Sequence, residues 1–189
     1  MSLTCAEILT SALAILDEFG LADLSMRRIA TALGVQPGAL YWHFDNKQSL
    51  LAALAGEVLG TLPEPGDLRG GGIAIWAGEL RDRLLAHRDG AELVSAVLAM
   101  RLLDPSPVDI LANALMRAGL PPTDAGAGSA LVVHFVLGHS LDRQGYAQSA
   151  QLGAAGPPGP DPDEAFAYAV ALLEVGLRTA FGDQGSLRQ

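Results

Sequence analysis

The stretch from Ser25 to Phe44 constrains this chain more than any other. Ser25 is a good helix N-cap, and Ile29, Ala30 and Leu33 follow it at helical spacing until Gly34 ends the pattern. Pro37 then fits the first position of a new helix, where its missing amide hydrogen is not needed, and this helix is expected to run through Leu40 and Tyr41 to Phe44. Two short helices, Ser25 to Leu33 and Pro37 to Phe44, joined by so tight a turn, make a helix-turn-helix. The second must keep one apolar edge for docking, which Leu40 and Phe44 supply. Its other edge must reach outward, and Gln36, Gly38, Ala39, Tyr41 and His43 are available there. Gly38 and Ala39 are small enough to allow close approach to base edges. An ordinary helical hairpin satisfies the same pattern.

The rest of the chain reads as helix. Thr4 and Glu7 have the spacing of a capping box, with Ile8, Leu9, Ala12, Ile15, Leu16 and Phe19 behind them and Gly20 as the stop. Asp45 and Gln48 suggest another box, opening a helix with Leu50, Leu51, Leu54 and Val58. A Pro/Gly-rich stretch from Thr61 to Gly72 reads as a loop or hinge. Five helices are expected after it: Ile73 to His87, Ala91 to Leu103, Pro107 to Ala118, Thr123 to Ala147 and Asp163 to Phe181. The run Gly153 to Pro160 between the last two is expected to be a mobile loop. The predicted fold is all-α: a helix-turn-helix domain over residues 1–45, a connecting helix over 46–60, and a larger helical domain over 61–189.

With 189 residues, half of them hydrophobic, the chain is long enough for a buried core, and no apolar run is long enough to cross a membrane. No secretion signal is seen and the single cysteine, Cys5, forms no internal disulfide, so a cytoplasmic protein is expected. A formal charge of −9 excludes a protein that coats nucleic acid nonspecifically; DNA binding has to come from a small local surface. Enzyme readings find no constellation. Gly138 to Asp142 lacks the final glycine of a nucleophile elbow and falls mid-helix, Gly126 to Ser129 lacks the third glycine of a dinucleotide site, and there is no P-loop. No cofactor is expected. His139 and Asp142 share a helical face, but two ligands are too few for a structural metal, and no metal is expected.

Phe19-Gly20-Leu21, Met26 to Ala30, Leu33-Gly34-Val35 and Leu40 to Phe44, followed by Asn46-Lys47 and Leu50-Leu51, resemble the DNA-binding domain of the TetR family of repressors. Leu84 to Ala91 and His134 to Gly138 are similar to segments of the regulatory domain in its tetracycline-repressor branch. The resemblance implies that Gln36, Pro37, Gly38, Ala39, Tyr41 and His43 face the major groove of an operator, and that Arg27 reads a base or holds a phosphate. Lys47 matches a phosphate contact. Trp42 is expected in the core. Pro37 and Gly38 depart from the tetracycline repressor, so a shared operator sequence is not implied.

The resemblance also implies a homodimer on a palindromic operator, held by a four-helix interface from the last two helices of each subunit. Leu131, Phe135, Leu172 and Val175 are the expected interface residues. Both helices are apolar over more than one face, as a second buried surface requires, although a thick core gives the same pattern. A small-molecule effector is implied, with Trp76, Leu80, Val94, Leu111, Met116, Phe135, His139 and Asp142 as its expected pocket. The magnesium-binding histidine of the tetracycline branch aligns with Val94, another ligand-contacting histidine aligns near Pro63, and a polar asparagine aligns with Trp76. A small apolar or aromatic effector is therefore expected rather than a magnesium–tetracycline chelate. The alternative is a helical small-molecule or partner-binding module whose DNA binding has weakened.

Overall fold

The computed structural model of the protein describes residues 3–68 and 70–182, and every regular element among them is helical. The elements are α1 (Cys5–Phe19), a 3-10 turn (Leu21–Asp23), α2 (Met26–Ala32), α3 (Pro37–Leu40), α4 (Lys47–Leu59), α5 (Gly72–Leu85), α6 (Gly90–Ala99), α7 (Pro107–Arg117), α8 (Pro122–Gln151) and α9 (Pro162–Gly182). They gather into two compact units. One holds the residues up to Gly60 together with Arg83–Asp104; the other holds Thr61–Asp82 and the residues from Pro105 onward.

In the first unit, α1 opens with the expected box: Thr4 accepts from the Glu7 amide, and the Glu7 carboxylate accepts from the Thr4 amide at 2.8 Å. Ile8, Ala12, Ile15 and Leu16 form its buried stripe. Leu24, Met26, Ile29, Ala30, Leu40 and Phe44 complete a core under the helix-turn-helix. Gly34 sits at φ 67, a left-handed conformation that suits glycine, and the bonds Val35 N to Ala30 O and Gly34 N to Thr31 O close α2 as a Schellman turn.

Several details differ from the sequence expectation: α5 ends at Leu85 rather than His87, and α8 runs on to Gln151 rather than Ala147. α3 ends at Leu40 rather than Phe44, because the Leu40 carbonyl accepts from both His43 and Phe44 at 3.0 Å and the last turn becomes irregular. The box on α4 is shifted by one residue: Asn46 Oδ1 accepts from the Ser49 amide at 2.8 Å, and Ser49 Oγ accepts from the Asn46 amide. α6 stops at Ala99 rather than Leu103, closed by Arg101 at φ 56 and the bond Leu102 N to Val97 O.

Polar bonds tie the C-terminal end of α1 to the segment before α6. Asp89 accepts from the Leu21 amide at 2.8 Å, Asp17 pairs with His87 at 3.1 Å, and Arg88 donates to the Glu18 carbonyl. In the second unit, Trp76, Leu80, Leu111, Leu115, Val132, Val133 and Val136 are buried. Buried Glu174 on α9 accepts from the Ala74 amide at 2.8 Å, so a carboxylate from one helix caps the first turn of another. Gly128 lets α8 and α9 touch, since a Cβ there would lie 2.6 Å from Leu177 Cδ2.

Candidate nucleic-acid interface and a side-chain cleft

The helix-turn-helix presents its outer edge as its sequence requires. Leu40 and Phe44 are buried, four residues apart, while Gln36, Pro37 and Gly38 are exposed and Ala39 and His43 are half-buried. Tyr41 is 52% exposed. Trp42, expected in the core, is 90% exposed; the two docking positions are already filled by Leu40 and Phe44, and a residue midway between them turns away from the core. His43 Nδ1 lies 3.6 Å from Cys5 Sγ.

The cations separate into held and available. Arg28 folds back, with its guanidinium 2.6 Å from Asp23 Oδ1 and 3.8 Å above the Phe19 ring. Arg27 and Lys47 are exposed, and neither makes an ion pair among the described residues. Lys47 is the first residue of α4. With Ser49 capped by Asn46, the Lys47 and Gln48 amides carry no hydrogen bond among the described residues and are free to meet an anion. An exposed aromatic edge beside two uncommitted cations and a helix N-terminus is chemistry suited to a sugar-phosphate strand.

The expected pocket residues fall in both units. Trp76, Leu80 and Leu111 are enclosed in the core of the second unit, and the Trp76 indole donates to the Pro63 carbonyl at 3.0 Å. Val94 is enclosed in the first unit, and Met116 is 37% exposed. Phe135 stacks on Phe166 at 5.6 Å between α8 and α9 of one chain. Leu131, Leu172 and Val175, expected at a dimer interface, are each more than half exposed.

His139 and Asp142 line a cleft of about 710 Å³ between the second half of α8 and the segment leading into α9. Sequence reasoning did not find the other walls, Arg143, Tyr146, Pro158 and Pro160; the proline run reads only as a loop. Asp163 binds Arg143 and lies 3.1 Å from Arg81, whose guanidinium rests 4.5 Å over Phe166. The bond from Arg143 holds the Asp163 carboxyl below the usual range. Burial, together with Arg81 and Arg143, keeps the His139 imidazole below its usual value and therefore neutral. Its Nε2 is sealed from solvent with no hydrogen-bond partner.

Residues 8–54 match the family described as "Bacterial regulatory proteins, tetR family". The tetracycline repressor protein class A from transposon 1721 of Escherichia coli is 30% identical over 191 residues, spanning 90% of this chain and 88% of its own. BioQ from Mycobacterium smegmatis superposes with a TM-score of 0.85 at 39% identity, and BioQ with its natural double-stranded DNA operator gives 0.76 at 38%. Both cover 94% of this chain and 99% of theirs. A single-substitution variant of TetR from Acinetobacter baumannii AYE, in complex with minocycline, gives 0.77 at 29%, covering 94% and 97%.

Proposed function

The chain belongs to the TetR family of bacterial regulators, and on that premise we propose that it is a ligand-responsive transcriptional repressor, a homodimer on a palindromic operator, released by a small apolar or aromatic effector. The observation that carries the reading is the outer edge of the helix-turn-helix. Leu40 and Phe44 anchor it, and Tyr41, Trp42, Arg27 and Lys47 are left uncommitted. Arg27 pairs with a guanine or a phosphate, Lys47 acts as a point charge on a phosphate, and Tyr41 donates its hydroxyl to another. Gln36, Pro37, Gly38, Ala39 and His43 face the groove.

The second copy of the chain is the partner that covers the exposed side of α8 and α9. Leu131, Tyr168, Leu172 and Val175 are 54–69% exposed there, and exposed Gly138, Gly145 and Gly176 permit helices to approach closely. Two-fold symmetry then places the two recognition helices about one DNA turn, ~34 Å, apart. The effector binds better to a state with different spacing and shifts the population away from DNA. α4, which joins the operator-facing residues to the rest of the chain, is the pivot. Trp76 and Val94, where the tetracycline branch carries polar groups, favour an apolar or aromatic effector over a metal chelate.

A gel shift on the DNA upstream of the protein's own reading frame, with and without candidate compounds, tests this. The Tyr41→Ala and Lys47→Ala variants are expected to bind that DNA about 5- to 30-fold more weakly, from the loss of ~1–2 kcal/mol each, while sedimenting as dimers. Unchanged affinity for both variants refutes the assignment of this surface.

A further inference from the structure

The outer edge of the helix-turn-helix holds one contact that its own two helices do not supply. His43 Nδ1 lies 3.6 Å from Sγ of Cys5, the first residue of α1, 38 positions earlier in the chain. Backbone bonds fix both ends of this contact. The Thr4–Glu7 box pins the start of α1, and Thr4 Oγ1 also donates to the Glu7 carboxylate at 2.8 Å. The His43 amide donates to the Leu40 carbonyl at 3.0 Å, and the next residue, Phe44, is buried. No other side-chain hydrogen bond is made by Cys5 or His43 among the described residues.

The contact decides which ring nitrogen faces outward. The two nitrogens of an imidazole point to opposite sides of the ring, so Nδ1 turned toward α1 leaves Nε2 turned away from it. Nε2 makes no hydrogen bond among the described residues, and it is not sealed from solvent. Sulfur is a weak acceptor and an unprotonated imidazole nitrogen a good one, so the better pairing has the thiol donating to a bare Nδ1. The proton of the neutral ring then sits on Nε2. A charged ring carries protons on both nitrogens. In either state the outward atom is an N–H, which phosphate oxygens and guanine N7 and O6 can accept and the amino group of cytosine cannot.

We propose that Cys5 is a positioning residue for operator binding: its thiol holds the His43 ring with Nε2–H outward, and His43 donates that hydrogen to an acceptor atom of the DNA. Cys5 itself touches no DNA and acts only through the imidazole. The proposal rests on reading the helix-turn-helix as an operator-binding surface, and adds to it a residue of α1 and a fixed polarity for His43. A phosphate oxygen and a guanine N7 offer the same accepting chemistry.

Cys5 is the single cysteine of the chain and is exposed, so methyl methanethiosulfonate caps one sulfur as a methyl disulfide, which dithiothreitol removes. Gel shifts of the full chain on the DNA upstream of its reading frame are expected to show about 3- to 10-fold weaker binding after capping, and full recovery on reduction. Cys5→Ala gives the same loss without added bulk. In His43→Ala, which binds more weakly from the start, neither capping nor Cys5→Ala changes affinity further, because the coupling runs through the imidazole. DNA made with 7-deazaguanine locates the acceptor: the penalty of His43→Ala vanishes there for a guanine N7 and persists for a phosphate. Unchanged affinity in Cys5→Ala, or an equal loss on capping in His43→Ala, overturns the proposal. The tautomer is read without DNA: at mildly alkaline pH, long-range nitrogen–proton NMR of the free protein is expected to show Nε2 protonated and Nδ1 bare. The opposite tautomer overturns the proposal even where the operator reading stands, and a wild-type protein that fails to shift the DNA counts against that reading alone.

Discussion

Two aromatic residues show how much a single position can conceal. Trp42 and Trp76 look alike in sequence, each beside apolar neighbours, yet one is 90% exposed and the other 1%. The difference is a matter of which positions around them are already taken. Leu40 at the end of α3 and Phe44 in the turn after it take the buried positions, so Trp42 points outward; Trp76 is enclosed and donates its N–H to the Pro63 carbonyl. Iodide is therefore expected to quench only the Trp42 share of the emission in free protein. Operator DNA should protect that share; full quenching in the complex would place Trp42 away from the DNA. His139 carries a second expectation. Burial first, then Arg81 from α5 and Arg143 from α8, lower its proton affinity against the opposing pull of Asp142 and Asp163. The unfolded chain takes up that proton near pH 6.5 while the folded chain resists, so stability falls as pH drops below ~6.5 and is flat above it. Thermal melts between pH 7.5 and 5.5 should show a smaller acid loss in His139→Phe than in wild type, and equal losses would remove His139 as the cause.

Helices are legible in the sequence wherever local chemistry decides them, and their ends are not. The Thr4–Glu7 box and the Gly34 stop lie where the sequence predicts, because each is settled by hydrogen bonds within a few residues. The box on α4 sits one position later than the sequence suggests, since Asp45 and Asn46 are both competent caps and only the surrounding fold selects between them. The ends of α3 and α6 depend likewise on packing and on a left-handed Arg101 that no residue type announces. Asn46→Ala is accordingly expected to cost ~1 kcal/mol in urea unfolding, whereas Asp45→Ala should cost almost nothing. The reverse order would restore the box of the sequence reading. The cap on α5 is invisible for another reason: Glu174 reaches Ala74 from a hundred residues away, and no local pattern encodes that pairing. The same holds for the cleft, where α8 and the proline run meet only through folding.

Across the whole molecule, charge sets the decisive constraint. The chain carries −9 overall, and its first 60 residues hold three cations, Arg27, Arg28 and Lys47, against six carboxylates. Arg28 is held by Asp23 and the Phe19 ring, which leaves two cations per subunit for phosphate. Binding to DNA must then depend on geometry more than on bulk attraction, and its salt dependence measures how many cations take part. Each phosphate neutralised contributes about −0.9 to the slope of log affinity against log salt, so a dimer using Arg27 and Lys47 from both subunits gives about −4. Leu172→Glu puts a carboxylate on the exposed apolar face of α9, where two copies would bury it without a partner. That variant is expected to sediment as a monomer and to bind half an operator with a slope of about −2. A slope near about −8 in the wild type would mean that cations beyond these two take part. A dimeric Leu172→Glu protein with the wild-type slope would place the subunit contact elsewhere than on α8 and α9.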